Sequence, residues 1–493
     1  MAARCVRAAG LSTLMSVILV GCKVGPNFVP PHEPVPDHYA GATQETPPDS
    51  FWWRQFHDPA LDRLVGQASA GNLDLKSAYL RLVAARIEVQ AARAQGLPSL
   101  NGTASFSREQ LGLAGILKTQ GFMIGPTTPA AEQQLIASLQ RPVNLYELGF
   151  DAAWELDLFG KVRRSVEAAD AQSAGAVEAR NDLLVSLEAE VAQTYLQLRA
   201  AQALRQVTIE LIQAQQVVAD LTQSRHAHGL ASEPDVDAAR AQLSNLQSQL
   251  PGYDQTIAAS KHALAVLTGN TPEAFDAEFE DGGGLPALPA LVPVGLPASL
   301  ARRRPDIRNS EAALHAATAQ IGVSVASLFP DISLSGTYGL RNIGTGYLFD
   351  WQSKFYTYGP SVSIPIFHAG ALVANVRVSQ AQAAQAALDY RKTVLTALEE
   401  VEDGLSSLRE DAARTAAIKD TVGADQRAVD VQVNAYRHGV ITYISVLTTQ
   451  LQLMQARQQL AQALLTQSTD LVKLYKALGG GWEQSPDVAA VAR

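Results

Sequence analysis

Cysteine is nearly absent, with Cys5 and Cys22 the two in 493 residues. Cys5 lies in a segment that reads as a removable leader, so a mature chain keeps one thiol and can form no internal disulfide. A basic excess is missing too. Lys and Arg number 39 against 48 Asp and Glu, a net charge of −9, and no basic cluster offsets it, which argues against a nucleic-acid surface. Beyond the leader no apolar run reaches about 18 residues, so no transmembrane helix is expected. The arrangements that carry chemistry are lacking as well. There is no Gly-x-Ser-x-Gly, no Cys/His pair and no Walker loop, and Gly282-Gly283-Gly284 has no Lys-Ser/Thr after it. His226 and His228 stand near Glu233 and Asp235, but on a helix they point about 200° apart and no further ligand spacing supports them as a metal site. Glu399-Glu400 and Glu402-Asp403 read as a solvated or lumen-facing stripe. The expectation is a protein that is not an enzyme and holds no metal or cofactor.

What is present begins with an address. Arg4 and Arg7 precede an apolar stretch from Leu11 to Val20, which reads as a secretory signal over residues 1–21. It closes on Leu19-Val20-Gly21-Cys22, which resembles the lipobox of bacterial lipoproteins. That resemblance implies a diacylglycerol on Cys22, and Lys23 in place of Asp implies sorting to the outer membrane. An ordinary signal with a chance Cys is the competing reading.

The longest uniform stretch is 159–242. From 161 to 228 it has no Pro and one Gly, Gly175. Leu184, Leu187, Val191, Thr194, Leu198 and Ala201 are spaced 3,4,3,4,3, and Leu204, Val207, Leu211, Ala214, Val218 and Leu221 continue the heptad pattern. Such a helix is about 100 Å long at 1.5 Å per residue and needs partner helices to bury its seam. It breaks at Gly229, and a second helix resumes from Asp235. The layout returns over 367–450, with Val394, Leu398, Val401, Leu405, Leu408 and Ala412 as its seam and Gly439 as its break. Pro98 maps to Pro330, Phe159 to Phe367, Gly229 to Gly439 and Val236 to Val446. This is an internal duplication.

Two alternating stretches precede each long helix. Leu148, Phe150, Ala152, Trp154, Leu156 and Leu158 oppose Gly149, Asp151, Ala153, Glu155 and Asp157; Leu100–Ser107 alternates more weakly. In the second half Ile332, Leu334, Tyr338 and Leu340 form one strand, and Tyr356, Tyr358, Val362, Ile364 and Ile366 another. Four strands cannot close a barrel alone, since the smallest membrane barrels have about eight. Either the sheet is soluble, or several chains share one barrel. The expected domains are a tether over 22–58, a first repeat of helix, β-hairpin and long helical hairpin over 59–250, a linker over 251–296, a second repeat over 297–480, and a tail over 481–493.

The lipobox, Val24-Gly25-Pro26, Arg304-Pro305-Asp306-Ile307, Phe329-Pro330-Asp331-Ile332 and Leu474-Tyr475-Lys476-Ala477-Leu478-Gly479-Gly480-Gly481-Trp482 together resemble the TolC/OprM outer-membrane factors, in particular the NodT-like efflux lipoproteins. The resemblance covers essentially the whole mature chain. It implies a mostly α fold with a β-barrel portion: four strands per chain shared in a trimeric 12-stranded barrel, plus a long α-helical coiled-coil tunnel. It implies the outer-membrane channel of a tripartite, RND-type efflux pump, partnered by a periplasmic adaptor and an inner-membrane transporter. The turns Gly229-Leu230-Ala231-Ser232 and Gly439-Val440-Ile441-Thr442 match the family's adaptor-docking tips. Asp235 resembles the acid that ties neighbouring helices at the closed end, with Tyr436 its aromatic partner and Arg240 in the same motif. Thr448 stands where relatives carry Asp, which departs from the family's acidic gate. A lipid-anchored periplasmic coiled-coil or adaptor lipoprotein with a soluble sheet is the alternative, and a surface-attached enzyme is disfavoured.

Overall fold

The computed structural model describes residues 23–40, 46–47, 49–110, 129–130, 134, 141–279, 284–289 and 292–484. Cys22 and the expected leader lie outside these. Among the described residues the chain is mostly helical with one small antiparallel sheet. Its order is α1 (Pro59–Gly71), α2 (Leu73–Ala94), β1 (Ser99–Glu109), β2 (Val143–Leu156), α3 (Lys161–Ala227) and α4 (Glu233–Leu267). Then come α5 (Pro297–Arg303), α6 (Pro305–Ala326), β3 (Asp331–Asn342), β4 (Lys354–Ser363), α7 (Ala371–Arg437) and α8 (Tyr443–Ala477). No described helix is long and apolar enough to cross a membrane.

The duplication holds element by element. α2 and α6 have 22 residues each, α3 and α7 have 67, and α4 and α8 have 35. α2 and β1 recur 232 residues later, at 305 and 331, whereas α3 and α4 recur 210 later, at 371 and 443. The difference lies in the connection between paired strands, 110–142 in the first half and 343–353 in the second.

The chain divides into two compact units. One comprises residues up to Phe28, Ile87–Asp170 and His315–Ala384; the other comprises Val29–Arg86, Ala171–Leu314 and the chain from Gln385 on. The first holds the sheet, ordered β1-β2-β3-β4 with every neighbour antiparallel. Its registers align Leu100 with Ala152, Phe150 with Tyr338, and Tyr338 with Tyr356. Because side chains alternate, one face collects Leu100, Phe106, Leu148, Phe150, Trp154, Leu334, Tyr338, Tyr358 and Val362, all exposed. The opposite face collects Asn101, Thr103, Glu147, Asp151, Ser335, Thr337 and Arg341. Across β2 and β3, Gly149 faces Gly339, where a Cβ on Gly339 would meet the Leu148 carbonyl oxygen at 2.6 Å. The expected fourth strand runs to Ile366, but β4 stops at Ser363. Its partner starts opposite, at Asp331 after Pro330, and Pro365 has no N–H to donate.

The second unit is built on a buried cluster drawn from several segments. Leu184, Leu187, Val191, Leu198, Leu264, Val394, Val401, Leu471 and Leu474 belong to it, and so do Trp52, Trp53 and Phe56. The end of the expected 22–58 tether is therefore core. Trp52 stacks on Tyr475 with centroids 5.2 Å apart, and aromatic side chains of that size are too costly to leave in water. Asp58 then caps α1 by accepting from the Ala60 amide at 2.9 Å, with Pro59 at the first helical position. The expected linker from 251 is also corrected: α4 continues through Pro251 to Leu267. Proline removes one helix hydrogen bond, and burial of Leu264 and Ala265 beyond it outweighs that loss.

Buried Arg304 joins two of the motifs named above. Its Nε and Nη2 donate to both Asp306 carboxylate oxygens at 2.9 and 2.7 Å, and its Nη1 donates to Glu400 at 2.6 Å and to the Ala477 carbonyl at 2.9 Å. Gly479, at φ +67°, lies against it where a Cβ would come within 2.7 Å of Arg304 Cγ. Trp482 Nε1 donates to the Arg303 and Gly479 carbonyls, pinning the described start of the tail.

Glu188 in this core has no hydrogen-bond partner for Oε2 among the described residues. Burial, then Glu483, push its pKa up to about 9 against the pull of Arg180. The folded state therefore holds a proton that the unfolded chain releases above about pH 4.5, and stability falls as pH rises toward 9. Thermal unfolding of Glu188→Gln against wild type from pH 5 to 9 should show the variant gaining relative stability as pH increases. A difference independent of pH would refute the assignment.

Candidate functional site

The polar face of the sheet is one candidate surface. Asn101 Nδ2 donates to Asp151 at 3.1 Å, and Arg341 Nη2 donates to Glu147 at 3.0 Å. The Arg341 guanidinium also covers the Phe355 ring at 4.3 Å. Neighbouring strands thus answer each other's charges on a face that only water or polar solutes would suit.

The two helix turns are the other, and they are built alike. After α3 the Gly229 amide donates to His226 O at 2.8 Å and the Leu230 amide to Arg225 O at 2.8 Å, with Gly229 at φ +74°. After α7 the Gly439 amide donates to Tyr436 O at 2.9 Å and the Val440 amide to Ala435 O at 3.0 Å, again at φ +74°. Both are Schellman endings, which need a left-handed residue that glycine adopts without strain. Leu230 and Val440 follow, 68% and 76% exposed, while Ala231 and Ile441 are half-buried. Ser232 and Thr442 are the N-caps of α4 and α8. Ser232 forms a capping box, its Oγ and amide both donating to Asp235 Oδ2 at 2.7 and 3.1 Å, whereas Thr442 makes no side-chain cap bond.

Behind the turns, Val218, Ala219, Ala239, Tyr436, Tyr443 and Val446 form a buried cluster. The Thr222 hydroxyl donates to Val218 O at 2.8 Å, so the Tyr436 hydroxyl, 3.1 Å away, donates to Thr222. Gln215 Nε2 donates to the Tyr443 hydroxyl at 2.9 Å. Burial raises the Tyr443 pKa, and Tyr436 and Asp235 add to this against the Gln215 bond. Arg225 Nη1 donates to the Tyr436 carbonyl at 2.8 Å while its guanidinium lies 4.6 Å over the Tyr436 ring. Between the four helices a cavity of about 580 Å³ is lined by Leu211, Val218, Leu246, Val433 and Leu453.

The expected residues are therefore brought together only in part. Tyr436 joins the two hairpins, but Asp235 is engaged with Ser232, and among the described residues no hydrogen bond joins Asp235 to Tyr436. Arg240 Nη2 donates to Gln223 at 2.9 Å. The Thr448 hydroxyl turns back to the Ile444 and Ser445 carbonyls, each at 3.0 Å. Gln215, Thr222, Arg225 and Tyr443 were not anticipated. A signal existed: Thr208, Gln215 and Thr222 are seven apart, a polar stripe within a heptad pattern, and all three are buried.

Comparison with known proteins adds a context. A family model described as "Outer membrane efflux protein" matches residues 64–270 and 296–480. The chain is 33% identical over 482 residues to the probable efflux pump outer membrane protein TtgC of Pseudomonas putida KT2440, covering 94% of each. It is 30% identical over 486 residues to nodulation protein T of Rhizobium leguminosarum bv. viciae, covering 97% of this chain and 94% of the relative. The solved structure of the outer-membrane channel OprN superposes with a TM-score of 0.82 at 31% identity, covering 94% of this chain and all of that one.

The two caps differ in a way that can be measured. Ser232→Ala removes a capping-box bond and should cost about 1 kcal/mol in local stability, read as faster amide hydrogen exchange at the start of α4. Thr442→Ala should leave exchange at the start of α8 nearly unchanged. Equal effects would contradict the asymmetry.

Proposed function

The chain belongs to the outer membrane efflux protein family, and we propose that three copies of it close one twelve-stranded barrel through the outer membrane. Each copy is the outer-membrane channel subunit of a tripartite efflux pump, with its helical hairpins forming the periplasmic tunnel. The observation that carries this reading is the sheet: an exposed apolar face, a polar face, and two edges, β1 and β4, that have no partner strand among the described residues. Strands in lipid must pair every backbone group, so such a sheet has to close on itself. Its strands of 10 to 14 residues meet the roughly 9–11 needed to span a bilayer at a tilt. Two copies would give eight strands, an interior that side chains fill, whereas three leave a lumen.

The tips Gly229-Leu230-Ala231-Ser232 and Gly439-Val440-Ile441-Thr442 dock a periplasmic adaptor, which couples the channel to an inner-membrane transporter. Leu230 and Val440 supply the apolar contact. Tyr436 and Asp235 hold the closed aperture, and uncharged Thr448 leaves it without an acidic ring at that position. A lipid on Cys22 anchors the chain.

Purified mature protein should run as a detergent-resistant trimer and conduct in planar bilayers. A monomer without channel activity would sink the barrel reading. Asp235→Ala combined with Tyr436→Phe should raise single-channel conductance several-fold, and an unchanged conductance would remove these two residues from the gate.

A further inference from the structure

In the sheet-bearing unit Arg164 has a fully buried side chain. A guanidinium has five N–H donors and no way to lose its charge, so its partners reveal what the site is built to hold. Nη1 donates to Glu167 at 2.8 Å. The remaining bonds go to the chain's own start: Nε to the Val24 carbonyl at 3.0 Å, and Nη2 to the Gly25 carbonyl at 3.1 Å and Asn27 Oδ1 at 2.9 Å. The Val24 amide in turn donates to Phe159 O at 3.3 Å. Lys23 Nζ lies 2.5 Å from Glu167, His315 Nε2 lies 3.2 Å from the other Glu167 oxygen, and the His315 ring stacks on Phe28 at 4.3 Å. Burial opposes ionisation of Glu167, but the bonds from Lys23, Arg164 and His315 outweigh it and hold its pKa at about 2.

The backbones are shaped to each other as well. Gly25 is at φ +86°, and a Cβ there would lie 2.5 Å from Gly322 Cα. A Cβ on Gly322 would come within 2.6 Å of Arg164 Nε, and one on Gly160 within 3.0 Å of Lys23 Cα. Residues 24–27 supply three of the four hydrogen bonds named here for the Arg164 guanidinium, and with Glu167 they compensate the burial of its charge.

We propose that Arg164, Glu167, His315 and Gly322 form a seat for the chain's own N-terminal residues, Lys23–Phe28, and that this seat sets the level at which a lipid on Cys22 enters the membrane. Lys23 is held against Phe159 and Gly160, in the connection between β2 and α3. The equivalent connections at this foot of the sheet carry exposed apolar side chains: Leu97, Phe329, Ile366 and Phe367, the last two 91% and 84% exposed. An acyl chain attached one peptide bond before Lys23 starts beside this apolar margin, whose fitting partner is phospholipid hydrocarbon. The anchor and the foot of the sheet then share one leaflet, in contrast to an anchor on a loose tether. The inference rests on the reading that Cys22 carries the lipid.

The test uses the full mature protein in detergent or nanodiscs, a lysine-specific endoprotease, and mass spectrometry of the released Cys22-Lys23 fragment. Cleavage after Lys23 requires the seated strap to open, so wild type should release the fragment slowly. Gly25→Ala drives a methyl into the Gly322 backbone while leaving the body unaltered, and should release it at least tenfold faster with bilayer conductance retained. Arg164→Lys, which keeps the charge but loses the fork, should do the same. Equal rates for wild type and both variants, fast or slow, would overturn the seat. A fragment without lipid mass, or one extending upstream of Cys22, would instead overturn the lipid reading, with the rates still judging the seat.

Discussion

Among the described residues, four strands leave two rows of backbone N–H and C=O groups open, and that deficit governs the rest of the molecule. In water such edges would be a liability; in hydrocarbon they are not tolerated. In the proposed barrel, pairing with further copies would remove both edges at once. The face chemistry fits such a closure, since Leu148, Phe150, Trp154 and Tyr338 suit lipid only if Glu147, Asp151 and Arg341 have water behind them. The Gly149–Gly339 approach serves it too, because side chains there would force β2 and β3 apart.

Distant segments are joined by buried cations. Arg164 binds the carbonyls of Val24 and Gly25 in one unit, and Arg304 binds Asp306, Glu400 and the Ala477 carbonyl in the other. In both places glycine lets backbone approach the arginine or its ligand segment. These contacts explain why Val24-Gly25-Pro26, Arg304-Pro305-Asp306-Ile307 and the Gly479-Gly480-Gly481-Trp482 run stand out together. They are joints, so their chemistry concerns assembly of the fold. The turns carry exposed Leu230 and Val440, supported from behind by the Tyr436–Thr222 and Tyr443–Gln215 bonds.

The candidate site was legible where a local rule decides it. Gly229 and Gly439 end helices because a left-handed turn is needed, and Ser232 with Asp235 three residues on is a capping-box pattern. Arg225 was not legible, because its partner, the Tyr436 carbonyl, is 211 residues away and carries no side-chain signature. Within one chain the Asp235 carboxylate accepts from the Ser232 amide and hydroxyl, a local contact that the capping-box pattern already marks. Trp52, Trp53 and Phe56 fall at the end of the expected 22–58 tether; their size takes them into the core.

By itself the sequence determined the long helices, their duplication, the alternating strands and the turn positions, because periodicity and glycine conformation are properties of neighbouring residues. It also carried the family resemblance, through motifs spread along the chain. Tertiary structure decided the continuation of α4 through Pro251, the end of β4 at Ser363, the seating of Lys23–Phe28 and the burial of Glu188. Each of these depends on what a distant segment offers: apolar surface beyond the proline, a strand partner that has ended, a guanidinium needing carbonyls, or a core that excludes water from a carboxyl group.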